Sequence, residues 1–545
     1  LKVDFSARRK TNYIVQGGTI MEGTKKVKKE DRMERIVRAI EKVGNKLPDP
    51  FWLFTILIAV VLILSKVLSS AGVSVMSTAL GPDGALVQQE VAVKNLMTSE
   101  TFNNYMGSLT NIYVNFAPLG QLIIMVMSVG FAEKAGFFSA LMRKAVIGAP
   151  ISVVVFILAL VGINSSIGFG AGVVFTMVVG AAMFKALGYH PWIGIILGYA
   201  AANGGFTANF SVTSVDTMLS AITTQVIEAN GINAPGHPLI NYYFIFAATI
   251  TLTFATVFVA KKFLIPYLSN GVTELKMDQK ELDKHRVTPE EVRGLKAVKW
   301  TVLVFIAVLL FMTLPKSSIL RNAEGGFIPN SPLLQQIVPI LFFIFFAIGI
   351  AYGIGSGTIK NSGDIPKLMQ GSLDTATSFL VVSLPASVFV QLFSESKIAT
   401  VMAVKGAELL KSMNISGLLL FFLIAFLSLF MDMFITSNSA KWVMFAPFLV
   451  PMMAMLDVSP VMTQILYRIG DSCGNMISPV ELNVPIALGL METYKVRKTD
   501  KAGIGSLISM NLPFTIIYFI TFFLMIILWY VLDLPLGPGA SIMLK

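Results

Sequence analysis

Ionisable side chains interrupt an otherwise apolar stretch between residues 436 and 485. The stretch carries Lys441, Arg468, Asp471 and Glu481, with small polar residues at both ends. A charge at bilayer depth costs roughly 2.5–3.5 kcal/mol on insertion scales, so such residues persist where they pair or line a water-filled path. Asn, Ser, Gly and Pro in the same stretch indicate broken helices, which are tolerated where irregular backbone faces a cavity. Secondary transporters build their substrate sites in this way.

Three of the charged residues have two interpretations each. Arg468 and Asp471 are three residues apart and therefore share a helix face. They form either a structural pair that neutralises itself, or a site in which Arg468 binds a substrate carboxylate and Asp471 orients it or exchanges a proton. Arginine suits this role because its planar fork matches a carboxylate. Asp216 is either the N-cap of the helix that follows it or a proton or cation site.

The other candidates are an indole, two charged side chains, and amides and hydroxyls. Trp442 is predicted either to pack in the interfacial belt or to stack on an aromatic ring of the substrate. The simplest interpretation of Lys441 and Glu481 is that they snorkel to the interface. Five polar residues either cap broken helices or coordinate Na⁺, while half-helix N-termini attract a carboxylate; they are Asn203, Asn209, Ser437, Asn438 and Asn475.

Composition places these residues in a polytopic membrane protein. Hydrophobic residues make up 55% of the chain and charged residues 13%, and the mean hydropathy is +0.73. A soluble protein carries roughly 25% charged residues, and runs such as 51–69 and 512–532 are long enough to span a bilayer. Residues 47–545 are predicted to form a single transmembrane transporter domain. A cytoplasmic tail, 1–46, with an amphipathic helix precedes it.

The formal charge of +11 is interpreted as membrane topology rather than as nucleic-acid binding. The basic residues concentrate in loops, which is typical of cytoplasmic loops. All of these loops can lie on one side if the polar elements after residues 163 and 436 are re-entrant. The sequence therefore predicts an all-α polytopic membrane protein with about nine transmembrane helices plus two re-entrant hairpins. The N-terminus is then inside and the C-terminus outside.

Several function classes are disfavoured. Cys473 is the single cysteine, so no intrachain disulfide is possible. The three histidines lack metal-ligand spacing, and no nucleotide-binding motif occurs, so no cofactor and no ATP-driven pumping are expected. Ser439 and Lys441 could serve as nucleophile and base, but residues two apart on a helix face away from each other, so an enzyme is disfavoured. An anion channel stays open, and strict ion coupling would separate it from a transporter.

An internal repeat relates two parts of the chain. GYHP (188–191) aligns without gaps on DVSP (457–460). Each copy has a Ser/Asn/Gly cluster, an apolar helix, an X-Pro break, a second apolar helix and a Gly/Asn cluster. The repeat cores are about 150–230 and 416–490. Two such units, if inverted in the membrane, suit a transporter with its site between them.

The second copy resembles the AbgT family, the p-aminobenzoyl-glutamate transporters. The resemblance extends over about 33–533 and is supported elsewhere by segments such as VGNKLPDPFWLF (43–54) and GGFTANF (204–210). The most specific blocks lie in the second copy; they are SNSAKW (437–442), APFLVPMMAML (446–456), SPVMTQILYRIGDS (459–472) and NMISP (475–479).

The resemblance implies an inner-membrane secondary transporter, usually a homodimer, with nine transmembrane helices and two hairpins. It implies ion-driven transport, coupled to H⁺ or Na⁺, of p-aminobenzoyl-glutamate-like organic anions, including export of sulfonamide-type antimetabolites. A dicarboxylate or an amino acid in the same fold is the alternative substrate. The chain departs from the family pattern at Thr217, where Pro is common, at Gly474, where Thr is common, and at Glu481, where no acid is expected.

The predicted site combines the resemblance with the residue chemistry. The functional positions that the family motifs carry over are Asp216, Ser439, Trp442, Arg468, Asp471 and Pro479. Asn438 joins the substrate-binding group, and Asn209 and Asn475 join Asp216 in ion coupling. Na⁺, if it is the coupling ion, is expected near Asn203, Asn209 and Asn475.

Overall fold

A computed structural model describes residues 48–80, 86–146, 151–269, 286–328, 331–435, 437–497 and 500–544. The predicted tail, 1–46, and its amphipathic helix lie outside the described residues. The described chain is mostly helical, as predicted, with one addition. Strands β1 (Ser74–Leu80) and β2 (Leu86–Ala92) form an antiparallel pair in which Ser74 lies opposite Ala92.

Local sequence explains where several helices begin. The helix at Pro50 follows Asp49, whose side chain accepts a hydrogen bond from the backbone N–H of Phe51. Proline at the first helical position loses no hydrogen bond, because that N–H has no partner in a helix. The helices of the first half are α1 (Pro50–Ser70), α2 (Ser99–Val114), α3 (Ala117–Lys134), α4 (Phe137–Val146), α5 (Ile151–Ile163), α6 (Phe169–Ala186), α7 (Pro191–Gly204), α8 (Ser214–Ala229), α9 (Tyr242–Val259) and α10 (Ile265–Ser269).

The second half begins with a capping box, in which the side chains of Thr288 and Glu291 each bond the other's backbone N–H. Its helices are α11 (Pro289–Thr313), α12 (Pro332–Gln335), α13 (Ile337–Ser356), α14 (Asp364–Leu373), α15 (Thr377–Glu395), α16 (Ile398–Ser412), α17 (Gly417–Met431), α18 (Asn438–Ala454), α19 (Pro460–Asn475), α20 (Val484–Thr493) and α21 (Ile504–Val531).

Within the described parts of the chain, seven helical segments are long and apolar enough to cross a bilayer, which identifies a multi-pass membrane protein. They are Pro50–Ser70, Ser99–Lys134, Tyr242–Ser269, Pro289–Thr313, Ile337–Ser356, Thr377–Glu395 and Ile504–Val531. The two further crossings of the sequence prediction would come from interrupted pairs, α7 with α8 and α19 with α20. The number of about nine crossings stays a prediction.

Two parts of the chain repeat one order of elements. In the first, a 3₁₀ turn at Asn164–Gly168 separates α5 from α6, and residues 205–213 separate α7 from α8. In the second, residues 432–437 separate α17 from α18, and residues 476–483 separate α19 from α20. The polar breaks therefore lie where Ser, Asn and Gly cluster in the sequence, because these residues compete with helical backbone hydrogen bonds.

The two prolines aligned by the repeat occupy the same structural position. Pro191 begins α7 and Pro460 begins α19. The preceding residue caps each helix: His190 accepts from the N–H of Trp192, and Ser459 accepts from the N–H of Met462.

Small residues let the helices of the repeats approach closely. A β-carbon on Gly194 of α7 would overlap the backbone of Gly180 on α6. On α19, a β-carbon at Gly470 would overlap the carbonyl of Ala425 on α17. Membrane helices associate through such close backbone packing, because burial of apolar surface gives little driving force in lipid. These contacts position the polar breaks against one another.

Candidate functional site

The polar break between α7 and α8 contacts helix α19 of the second repeat inside the protein. Thr207, at the break between α7 and α8, donates a 2.8 Å hydrogen bond to the backbone carbonyl of Arg468 on α19. Its hydroxyl also lies 2.6 Å from the hydroxyl of Ser472. All three residues are buried. The irregular backbone of the first repeat is therefore joined to the charged helix of the second.

Arg468 pairs with Asp216 rather than with Asp471. Its Nη2 atom lies 2.6 Å from Oδ1 of Asp216 on α8, and it also donates to the carbonyl of Phe206 at 3.3 Å. Of the two interpretations of these residues, the structural pair of Arg468 with Asp471 is thus wrong, although the two residues share a helix. Partners on other helices satisfy both charges, because α8 and α18 pack against α19.

Asp216 is part of a helix cap, but it is not the N-cap residue. Thr213 is the N-cap, and Asp216, the third residue of α8, completes the capping box. Oδ2 of Asp216 accepts 2.7 Å hydrogen bonds from the backbone N–H and the hydroxyl of Thr213. The second carboxylate oxygen faces Arg468. The Asp216 side chain therefore helps to cap the N-terminus of α8 and also neutralises Arg468 from the other repeat.

Lys441 is fully buried and does not snorkel to the interface. Its ammonium forms ion pairs with Asp432, at the end of α17, and with Oδ1 of Asp471, at 2.6 Å. Snorkelling would lead the side chain to water, whereas two carboxylates here hold the ammonium inside. The expectation for Lys441 is corrected.

Asp471 lies at the centre of a polar cluster. Its Oδ2 atom accepts a 2.6 Å hydrogen bond from Asn438 and a longer one, 3.4 Å, from Asn475. The hydroxyl of Tyr467 donates to the backbone carbonyl of Asn438 at 2.6 Å and lies 3.4 Å from Oδ1 of Asp471. The structure therefore brings together three predicted site residues, Asn438, Asp471 and Asn475.

Trp442 lies neither in the interfacial belt nor at an open surface. It is fully buried and stacks on Tyr467, with ring centroids 4.6 Å apart and planes inclined by 27°. Its indole N–H donates a 3.0 Å hydrogen bond to Thr223 on α8, which in turn donates to Gln464. In this conformation Trp442 supports Tyr467, and Tyr467 contacts Asp471.

The other predicted ion ligands bond elsewhere. Asn209 accepts a 3.0 Å hydrogen bond from Ser166 in the break between α5 and α6. Asn203 accepts from Asn483 in the break between α19 and α20 at 3.4 Å. Among the described residues, no group of three His, Cys, Asp or Glu side chains could hold a metal ion. Asn203 and Asn209 therefore link the polar breaks.

The break after α19 contains the last candidates. Pro479 is buried and follows Ser478, whose hydroxyl donates to the carbonyl of Asp432 at 2.7 Å. Glu481 is half-buried, accepts a 3.2 Å hydrogen bond from Asn483 and lies within electrostatic range of Lys441 and Asp471. It faces the charged cluster, which corrects the snorkelling interpretation.

Ser439 lies in the first turn of α18, at the opening of the cluster. It is half-buried, as are its neighbours Ser437 and Asn438. Its hydroxyl lies 3.4 Å from that of Ser437. The start of α18 is therefore the accessible side of the cluster, while Lys441 and Trp442 on the same helix are buried.

Sequence reasoning missed Asp432 and Tyr467. Asp432 is an acid within the apolar sequence LFMDMF, close before the SNSAKW block. That position was a usable signal, since an ionisable residue at membrane depth is a functional candidate by default. Tyr467 gave no such signal, because a tyrosine in an apolar helix most often packs as an aromatic ring.

Comparisons with known proteins agree with this architecture. The p-aminobenzoyl-glutamate transport protein of Escherichia coli (strain K12) is 33% identical over 500 residues, which cover 92% of this chain and 95% of that protein. The YdaH transporter of Alcanivorax borkumensis, described as having an unusual topology, is 28% identical, with a TM-score of 0.81. That match covers 90% of this chain and all of the other.

A second solved structure is MtrF of Neisseria gonorrhoeae, which represents a class of antimetabolite efflux pumps. It is 32% identical, with a TM-score of 0.83, over 93% of this chain and all of the other. The family model of the AbgT putative transporter family matches residues 35–544. The family and these relatives are transporters, not enzymes. This chain belongs to the AbgT family of membrane transporters.

Proposed function

We propose that this protein is an ion-coupled secondary transporter of p-aminobenzoyl-glutamate-like organic anions. One observation supports ion coupling: buried carboxylate side chains outnumber buried lysine and arginine side chains among the described residues. Among the described residues, the buried acids are Asp216, Asp432 and Asp471, and the buried lysines and arginines are Lys441 and Arg468. An uncompensated charge inside a protein is strongly unfavourable. A coupling cation, H⁺ or Na⁺, would neutralise the excess carboxylate.

The position of the cluster supports transport rather than a purely structural role. It includes residues of α19, the helix that the break of the first repeat contacts, and Asn438 and Ser439 at its edge are half-buried. Secondary transporters place substrate and coupling ion at such broken helices, near the bilayer midplane. Ion binding at Asp471 would therefore occur beside the substrate, so that each would influence the other.

Arg468 is the proposed anchor for the substrate carboxylate. Its Nε atom is buried and has no hydrogen-bond partner among the described residues. The guanidinium presents five donors in a fixed fork, of which Nη2 serves Asp216 and Phe206. A carboxylate could bind the remaining donors, and protonation of Asp216 would free Nη2 as well. The Escherichia coli relative motivates p-aminobenzoyl-glutamate as the first substrate to test.

The remaining features of the proposal follow the family. The protein would lie in the inner membrane as a homodimer, with its N-terminus in the cytoplasm and its C-terminus outside. Export of sulfonamide-type antimetabolites is a second transport direction to test, because MtrF represents antimetabolite efflux pumps.

Flux measurements in proteoliposomes test this function. Purified protein is reconstituted, and labelled p-aminobenzoyl-glutamate is followed under an imposed Na⁺ gradient, an imposed pH gradient, or neither. Accumulation against the substrate gradient, dependent on one cation gradient, is expected. Labelled sulfonamide in the same vesicles tests export. Equilibration of both compounds without any effect of a cation gradient would instead favour a channel.

A further inference from the structure

Asp432 and Lys441 form an ion pair beside the break between α17 and α18. Asp432 immediately follows α17, and Lys441 lies in the first turn of α18. Both side chains are completely buried. Neither residue belongs to the family positions from which the site was predicted, and the proposed ion binding at Asp471 gives Asp432 no role beyond its contribution to the excess of negative charge.

The structure makes room for this additional carboxylate. A β-carbon on Gly474 of α19 would overlap the side chain of Asp432. Oδ2 of Asp432 is buried and accepts no hydrogen bond from the described residues, and the backbone carbonyl of Asp432 is held by Ser478. The side chain is therefore confined between Lys441 and α19, with one oxygen left without a partner.

The ammonium of Lys441 lies between two acids. It contacts Asp432 on one side and Oδ1 of Asp471 on the other. The other charged groups of the cluster are Arg468, which is paired with Asp216, and Glu481. A small movement of the flexible lysine away from Asp471, with its contact to Asp432 kept, would free Asp471 and would still leave the ammonium paired. A buried charge without a partner is strongly unfavourable. Because Asp432 keeps the ammonium paired, its movement away from Asp471 leaves no unpaired positive charge.

We propose that Lys441 is a tethered cation that neutralises Asp471 when the coupling ion is absent and is held by Asp432 when that ion binds. Lys441 and Asp432 are then positioning residues for ion coupling, and Asp471 is the acid for which Lys441 and the ion compete. This inference rests on the proposed ion-coupled transport. It predicts that changes at Asp432 and Lys441 alter the affinity for the ion separately from protein stability.

Two variants move the ion affinity in opposite directions. In Asp432→Asn, Lys441 loses its second acceptor and stays on Asp471, so the apparent affinity for the coupling cation should fall roughly tenfold or more. In the combined variant Lys441→Met with Asp432→Leu, the competing ammonium and its acceptor are both removed. Asp471 remains a single carboxylate, so cation binding should persist and become tighter.

The measurement is ion-dependent thermal stabilisation of purified protein, titrated with Na⁺ at fixed pH and with pH at fixed Na⁺. The stability without ion is recorded separately, because the combined variant removes a buried pair as a unit and should fold. The matched control is Lys405→Met with Glu408→Leu, an exposed ion pair on α16. Like the combined variant, this control removes one positive and one negative charge, and it should leave the ion affinity unchanged.

The outcomes separate the two proposals. If the wild-type protein shows no dependence on either cation, the proposed ion coupling itself is wrong. If the wild-type protein binds an ion, and both variants bind it with unchanged affinity while their stability changes, the ion pair of Asp432 and Lys441 only stabilises the break between α17 and α18. Opposite shifts of ion affinity in the two variants would support the tethered-cation role.

Discussion

The guanidinium of Arg468 lies 2.6 Å from the carboxylate of Asp216, which belongs to the other repeat. This ion pair spans the junction at which the two broken segments meet. Asp471, three residues along α19 from Arg468, pairs instead with Lys441. The site therefore contains two separate groups of paired charges, one around Arg468 and one around Lys441, and each can be tested by its own substitutions.

The first prediction separates substrate binding from structure at Arg468. Arg468→Met with Asp216→Asn removes both charges of the ion pair and keeps an oxygen for the capping box, so most of the stability should be retained, whereas either single change should destabilise by about 3–5 kcal/mol. The double variant should not bind substrate, because no fork remains for its carboxylate. Equilibrium binding and thermal unfolding of purified protein measure the two effects.

Arg468→Lys is the matched control for this prediction. It keeps the positive charge but presents a point charge instead of a planar fork. It should keep the fold and bind the substrate more weakly than the wild-type protein. Normal substrate binding by the double variant would remove Arg468 from the substrate site.

The second prediction concerns Asp216. Asp216→Asn keeps a polar oxygen for the capping box but removes the charge that faces Arg468. Expression should persist at reduced stability, and gradient-driven accumulation of substrate should be lost. Uptake in proteoliposomes with and without a cation gradient is the measurement. Full driven uptake by this variant would leave Asp216 with its capping and structural roles only.

The third prediction concerns Trp442. Trp442→Phe keeps an aromatic ring against Tyr467 but loses the hydrogen bond to Thr223, which should cost about 0.5–1.5 kcal/mol. Trp442→Ala should cost about 3–5 kcal/mol, because it leaves a large cavity. Substrate affinity of the Phe variant should stay close to that of the wild type. A large loss of affinity with unchanged stability would indicate direct contact between Trp442 and the substrate in another conformation.

The fourth prediction concerns acid sensitivity at the loop before α21. His190 is buried between α6 and α7, and its Nε2 atom lies 3.0 Å from Asp500. Because its Nδ1 atom accepts from the N–H of Trp192, Nε2 carries the proton in the neutral ring. Burial lowers the pKa of His190 below its usual 6.5, despite the opposing effect of Asp500. Burial raises the pKa of Asp500, but hydrogen bonds from the backbone N–H of Arg497 and from His190 give a net decrease below 3.8.

The pKa shift is downward for both His190 and Asp500. Because each folded pKa is lower than the unfolded one, the detached state binds more protons, so acid weakens docking of the loop. The contribution of His190 is complete above pH 6.5 and declines below it, and that of Asp500 is lost as the pH falls below 3.8. Hydrogen exchange at Val496 and Arg497, whose N–H groups donate to Asp500, should therefore reveal more frequent opening on acidification.

His190→Gln is the matched control for acid sensitivity. Glutamine can donate to Asp500 but does not titrate, so the change in loop opening just below pH 6.5 should disappear. Opening that is independent of pH in the wild-type protein, after correction for intrinsic exchange, would contradict the assignment of His190 as the titrating group.

The fifth prediction concerns topology. Basic loops are expected in the cytoplasm, so a thiol introduced at Glu290, in the first turn of α11, should be protected from an impermeant reagent in intact cells. A thiol at Gln89, in β2, should react. Both residues are exposed, whereas Cys473 is fully buried and should contribute little background. The opposite labelling pattern would invert the predicted orientation.

Local sequence was enough to predict the membrane class and the positions of the breaks. Hydropathy is a sum over neighbouring residues, so the apolar segments could be recognised without knowledge of their packing. The breaks after residues 163 and before Asn438, and the helices that begin at Pro191 and Pro460, follow from residue types that disrupt or start a helix. Arg468, Asp471 and Asp216 could be identified as candidates because charge is rare at bilayer depth.

Only the tertiary structure decided how those charges pair. Spacing along α19 allowed a bond between Arg468 and Asp471, yet α8 brings Asp216 to Arg468 and α18 brings Lys441 to Asp471. The same packing buried Trp442 and placed Asp432 in the space beside Gly474. Pairing energy depends on the distance between charges in space and on the loss of water around them. These quantities arise from the contacts between helices, and residue spacing within one helix does not contain them.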